Sequence, residues 1–345
     1  MTRVSSVSAS AIQNVDAFLE TRTDPFPFSG TVLVAVDGHI VLDRGYGFAE
    51  AELDVPNAPS TIFRIGSLTK TLTAAAALKL ADMHQLSLDD SICRYLTSCP
   101  ADWSPVRIRY LLAHVSGIPD LFNAIPAAPV ERTRAAIDKA VQSAGRTALD
   151  STPGSTYAYR NFNYMLVGYA IEVATGRPWE DVLRANVFDA AGMPHTAYDD
   201  VWAVVAGRAR GYVMKDRSLR NIPYKDHSAF AAGGLRSTAT DLWAFVDAFF
   251  AGRLTSREDV TMAVTPVAGD YGYGWQIKHF FGRLMFNHSG GIDGFASHIA
   301  RYPDDGLTIV VLSNIESEPA KLTACNIASL LLTGVTRPLS ACPES

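Results

Sequence analysis

The chain has 345 residues, 48% of them hydrophobic and 19% charged, with a formal net charge of −5. That is enough apolar material for a large core in one unit of two intertwined subdomains, and it excludes a disordered chain. The acidic balance and the absence of Lys/Arg clusters exclude a nucleic-acid footprint, and no apolar run is long enough to span a bilayer.

Residues 1–8 are polar and lack the apolar centre of a secretory signal, so a cytoplasmic protein is expected unless a signal was trimmed. Residues 11–21 read as an amphipathic helix. Residues 30–36 and 40–48 read as strands joined at Asp37-Gly38, a hairpin signal. From Ser67 to about Phe250 the pattern is mostly helical, with helices expected over 67–83, 161–175, 178–188 and 240–250. Gly176-Arg177-Pro178 ends one helix and opens the next. After Asp270 strands return over 271–279, 283–288, 297–302 and 307–312, and a last helix covers 320–332. The expectation is an α+β fold: residues 1–65 and 266–345 share one antiparallel sheet flanked by terminal helices, around a mostly helical subdomain, 66–265. An active site between two such subdomains is the default.

Four cysteines, Cys93, Cys99, Cys325 and Cys342, match no zinc or redox spacing. Cys93 and Cys99 can pair across a short loop in an oxidising compartment; buried free thiols are the preferred reading.

The chemistry concentrates in three stretches, in this order: Ser67-Leu68-Thr69-Lys70, Tyr159-Arg160-Asn161 and His288-Ser289-Gly290. Ser67 stands at the start of a helix, and residues three apart share a helical face, so the Lys70 amine can reach the Ser67 hydroxyl. Free N–H groups and the positive dipole end of that helix favour a nearby oxyanion. A serine beside an amine in that place is an activated nucleophile in the making. Taken singly, each residue has a commoner structural role. Ser67 is an N-cap, Lys70 a solvated helix residue, Tyr159 a core aromatic, Asn161 a helix cap and His288 a satisfied strand histidine. His114 is read as a turn histidine bonding its own loop, and Trp275 and Phe295 as packing. The chain holds only one Ser-x-x-Lys and one Tyr-x-Asn, and it is their order with the third motif that carries weight.

In order and spacing the three motifs resemble those of the penicillin-recognising serine hydrolases, in the branch of class C β-lactamases, D-Ala-D-Ala carboxypeptidases and β-lactamase-like esterases. Residues 111–119 (Leu-Leu-Ala-His-Val-Ser-Gly-Ile-Pro) and 232–238 (Ala-Gly-Gly-Leu-Arg-Ser-Thr) read the same way. The resemblance implies that Ser67 is the nucleophile, Lys70 its partner and Tyr159 the proton relay. It implies that Asn161 holds Lys70 and the substrate, that His288, Ser289 and Gly290 line the cleft, and that the Ser67 and Gly291 N–H groups form the oxyanion hole. Class C β-lactamases carry Lys-Thr-Gly where this chain has His288-Ser289-Gly290; a permanent cation is replaced by a group expected to titrate near neutral pH. That points away from a dedicated β-lactamase.

No Gly-x-Ser-x-Gly elbow, His-Glu-x-x-His or dinucleotide fingerprint is present, so no metal or other cofactor is expected. The reading is a serine hydrolase taking a small ester, amide or peptide substrate through a Ser67 acyl-enzyme. The alternatives are an acyltransferase using the same intermediate, a D-Ala-D-Ala carboxypeptidase or weak β-lactamase, and a non-catalytic binding protein. Oligomeric state and substrate identity leave no legible mark.

Overall fold

The structure, a computed structural model, describes residues 7–23, 25–125, 130–143, 148–222 and 229–334. Residues 1–6 of the polar N-terminal stretch, and Cys342, lie outside them.

A six-stranded antiparallel sheet is built from both ends of the chain. Its strands are β1 (Gly30–Val36), β2 (His39–Tyr46), β3 (Gln276–Phe280), β4 (Arg283–Ile292), β5 (Phe295–Tyr302) and β6 (Leu307–Ser313), in spatial order β3-β4-β5-β6-β1-β2. The principal helices are α1 (Ala9–Thr21), α2 (Thr69–Asp82), α3 (Asn161–Thr175), α4 (Ala239–Phe250) and α5 (Ala320–Leu332).

β1 and β6 pair at the centre and are buried along their whole length. Strand alternation divides their side chains between two cores. Val32, Val34, Ile309 and Val311 join Val15, Leu19, Ile327 and Ala328 of the terminal helices. Leu33, Val310 and Leu312 face the larger core, which holds α2, α3 and α4. α2 is buried nearly all round, and its small run Ala74–Ala77 lets neighbouring segments approach closely. The α+β architecture, with its antiparallel sheet and terminal helices, is the one expected.

Three local differences have physical causes. The central region also carries a three-stranded sheet of Phe63–Arg64, Leu235–Ser237 and Ala197–Tyr198, and a hairpin of Tyr212–Lys215 with Ser218–Asn221. Strands of two or three residues show no readable alternation. The hairpin turns on Asp216 and Arg217, both at positive φ, without the Asn-Gly or Asp-Gly pair that announces such turns. Second, the strand expected over 271–279 starts only at Gln276, because Tyr271 and Trp275 bury their rings in the core instead of alternating. Third, Cys93 and Cys99 are disulfide-bonded rather than free, and no described cysteine is a free thiol. A turn over Ile92–Arg94 and its return bring the two Cα atoms to 5.2 Å, within bonding reach.

Candidate active site

Ser67 lies in a 3₁₀ turn, Gly66–Leu68, that runs directly into α2. The turn abuts β4 so closely that neither Gly66 nor Gly290 has room for a side chain. A Cβ on Gly290 would fall 2.1 Å from the Ile65 carbonyl oxygen and 3.1 Å from the Ser67 nitrogen; one on Gly66 would fall 2.9 Å from the Gly291 nitrogen. Gly66 also sits at φ +51°, which favours glycine. Ser297 on β5 pins the turn from below, its hydroxyl donating to the Ile65 carbonyl at 2.8 Å. The Gly66–Ser67 backbone therefore lies directly against that of Gly290 and Gly291.

Lys70, one turn along, is fully buried. Its Nζ lies 2.8 Å from Asn161 Oδ1, 2.7 Å from the Ala232 carbonyl oxygen and 2.9 Å from Ser67 Oγ. Two of these neighbours can only accept hydrogen bonds. An ammonium donates to all three, Ser67 included; a neutral amine, with two N–H groups and one lone pair, would give both to these acceptors and turn its lone pair to the serine hydroxyl. Burial holds the Lys70 amine well below its ordinary value, with the Asp120 carboxylate opposing.

Tyr159 stands at the rim, 40% exposed, with its ring centroid 4.9 Å from Lys70 Nζ. Desolvation raises its phenol above the ordinary value, partly offset by the neighbouring Ser67 hydroxyl. It is thus a proton donor and not a standing phenolate. Asn161 opens α3.

The third motif is arranged differently from the expectation. His288 is buried: its Nδ1 lies 2.7 Å from the Ser289 carbonyl oxygen and its Nε2 2.9 Å from the Tyr271 hydroxyl. The carbonyl can only accept, so Nδ1 carries the proton and Tyr271 donates to Nε2. Burial and the nearby Lys70 push the imidazole down to about 3. It is neutral, and the expectation that it titrates near neutral pH is corrected. Ser289 projects to the other sheet face, where its Oγ lies 2.8 Å from His298 Nδ1; only its backbone is left at the cleft.

The cleft itself has a volume of about 200 Å³ and is lined by Ser67, Asn161, Gly291, Phe122, Ala229 and Asp293, among others. Ser67, Lys70, Tyr159, Asn161, Gly290 and Gly291 are brought together; the His288 and Ser289 side chains are committed elsewhere. Trp275 is core, packed against Phe245, Phe249 and Phe250.

A model of the beta-lactamase family matches residues 24–333. The chain belongs to that family. Among family relatives it is 28% identical to penicillin-binding protein 4* of Bacillus subtilis over 333 residues, covering 89% of this chain and 72% of that one. It is 23% identical to a teichoic acid D-alanine hydrolase of Staphylococcus aureus, over 88% of this chain and 74% of that one. The octameric penicillin-binding protein homologue from Pyrococcus abyssi superimposes with a TM-score of 0.82 at 26% identity, over 93% of this chain and 77% of that one.

One residue escaped the sequence reading of this family site, and a second was read only in part. Asp120 accepts from the Phe162 N–H at 3.2 Å in the first turn of α3 and faces Lys70 electrostatically. His114 bonds its own turn, its N–H donating to the Leu111 carbonyl at 3.2 Å, but its ring and carbonyl also reach across to the Tyr159 segment. An Asp just after a Gly-Ile-Pro turn, and a His 46 positions from its partner Arg160, carry no short-range signal.

Proposed function

We propose that this chain is a serine hydrolase that cleaves a small, uncharged or cationic ester or amide through an acyl-enzyme on Ser67. The observation that carries this is the fully buried Lys70 amine, 2.9 Å from Ser67 Oγ and held well below its ordinary value by burial; in its neutral form it gives both N–H groups to Asn161 and Ala232 and turns its lone pair to the serine. Ser67 Oγ attacks the substrate carbonyl carbon while its proton passes to Lys70 Nζ. The oxyanion forms between the Ser67 and Gly291 N–H groups, each typically worth a few kcal/mol. As the tetrahedral centre collapses, the Tyr159 hydroxyl protonates the departing alcohol or amine and regains a proton from Lys70. Water then attacks the acyl carbon by the reverse path and frees Ser67. Asn161 holds Lys70 on one side.

Neutrality of His288 supports the substrate class. Among the described residues Asp293 is the only charged side chain lining the cleft, and no permanent cation stands in the third motif to pair with a substrate carboxylate. The Cys93–Cys99 disulfide supports an oxidising compartment in place of the cytoplasm first expected. In such a compartment D-alanyl esters or amides are in reach, a substrate type that the name of the Staphylococcus aureus relative also carries.

The test is the intact mass of the protein after brief incubation with D-alanine methyl ester, D-alanine amide and benzylpenicillin, with Ser67→Ala as control. A Ser67-dependent acyl adduct or turnover on the D-alanyl compounds is expected. An equally efficient turnover by Ser67→Ala, or none on any ester or amide of a wider panel, defeats the proposal.

A further inference from the structure

His114 is singled out by its backbone as well as its ring. It sits at φ +58°, a region that L side chains rarely adopt, and is 1% exposed. From there it makes two bonds to the segment that carries Tyr159. Its carbonyl oxygen accepts the Ala158 N–H at 2.9 Å, and its Nδ1 accepts the Arg160 N–H at 3.2 Å. Tyr159 is thus gripped on both sides by one residue, and the two rings lie against each other with centroids 4.4 Å apart.

The tautomer follows from these contacts. A backbone N–H only donates, so Nδ1 must present a lone pair and the proton sits on Nε2. Asn163 agrees: its Oδ1 accepts from the Ser116 hydroxyl at 2.8 Å, which turns its Nδ2 toward His114 Nδ1 at 3.4 Å. Nε2 has no hydrogen-bond partner among the described residues and lies among the rings of Tyr164 and Tyr271. A histidine kept only to fill space would have no need of this fixed acceptor.

We infer that His114 is a positioning residue for Tyr159: it clamps Ala158 and Arg160 so that the phenol is held beside Ser67 and Asn161 beside Lys70. This rests on the acyl-enzyme reading above. Tyr159 is partly exposed at the rim, so its orientation depends on its own backbone more than on packing. A displacement of about 1 Å in such a group costs on the order of a hundredfold in rate without weakening binding.

Two variants separate positioning from packing. His114→Gly accepts the positive φ but removes ring and acceptor. His114→Asn also tolerates that backbone and keeps an acceptor oxygen one bond from Cγ, where Nδ1 stands. Each is assayed on p-nitrophenyl butyrate and on ethyl butyrate, beside wild type and Ser67→Ala. The acyl group is shared, but ethoxide needs a proton from Tyr159 to leave and p-nitrophenolate does not. For His114→Gly, kcat/KM, which ends at acylation and so leaves out the deacylation both esters share, is expected to fall about a hundredfold on the ethyl ester and only a few-fold on the activated ester. His114→Asn is expected to recover most of the loss. Equal losses on both esters, an Asn variant as slow as the folded Gly variant, or failure of both variants to fold would reduce His114 to a packing residue. Wild-type inactivity on both esters and on the D-alanyl compounds and wider panel above, or full activity in Ser67→Ala, would instead remove the acyl-enzyme reading on which the inference stands.

Discussion

The close approach of β4 to the Ser67 turn gives a prediction that can be worked from distances. In Gly290→Ala the new Cβ would lie 2.1 Å from the Ile65 carbonyl oxygen and 2.3 Å from Ser297 Oγ. The serine hydroxyl can rotate away, but the carbonyl is backbone. To reach even 3.0 Å, strand and turn must part by about 0.9 Å. Overpacking of this kind costs about 1–3 kcal/mol of stability, which lowers the melting temperature by several degrees. The same displacement opens the gap between the Ser67 and Gly291 amides, and a misplacement near 1 Å costs roughly a hundredfold in rate, or about 2.7 kcal/mol in the barrier. Gly291→Ala is the matched control, since a Cβ there meets nothing within 4 Å. Thermal melts and ester turnover of both variants are the assay. A Gly290→Ala enzyme that melts and works like wild type, or a Gly291→Ala enzyme damaged equally, would refute the steric reasoning.

Three further outcomes are expected. Because burial holds Lys70 well below its ordinary value near 10.5, the acylation rate should climb with pH through that lowered value and level off before 10.5; an acid limb still rising at 10.5 would contradict this. Lys70→Arg, which cannot shed its proton, should be slower by about 10²–10⁴. His288 and His298 are both pushed down to about 3 by burial, whereas the unfolded chain takes up protons near 6.5. Their contribution to stability is therefore complete above pH 6.5 and declines as pH falls toward 3; His298→Asn should shallow that decline in urea midpoints measured from pH 7 to 4, and an unchanged slope would count against it. Reduction of Cys93–Cys99, which closes a loop of sequence separation 6, should cost about 2 kcal/mol by chain entropy; melting with and without reductant checks it.

Periodic and paired features were legible in the sequence. β1, α3 and α5 fall where hydrophobic run and end signals place them: Asp37-Gly38 closes β1, Gly176-Arg177-Pro178 ends α3, and α5 is a long apolar run. The proposed nucleophile Ser67 and the Lys70 amine were legible as a pair because they lie three residues apart at the start of one helix. Contacts between distant segments were not. Nothing in the sequence near His114 announces that Arg160 will donate to it, and nothing near Asp120 announces α3. The disulfide was open for the same reason, since spacing alone cannot say how the loop returns.

The third motif shows where a readable rule was available but incomplete. Successive residues of a strand face opposite ways, so His288 and Ser289 cannot both present side chains to one cleft. Phe286 belongs to the larger core and Met285 to the core beneath the terminal helices. By parity that sends His288 to the cleft side and Ser289 away from it, as found. Facing the cleft side does not itself mean facing the substrate: Tyr271 covers the imidazole and accounts for its Nε2, and the Ser289 carbonyl accounts for its Nδ1. What β4 offers at the cleft is then backbone, made available by the two glycines that follow. A neutral edge suits the proposed mechanism, in which the base is a buried neutral amine. A fixed positive charge beside Lys70 would lower its pKa further and weaken it as a base, while a negative one would restore its proton. On this argument the histidine leaves the strand uncharged where Lys70 must stay deprotonated, at the cost of a counter-ion for anionic substrates.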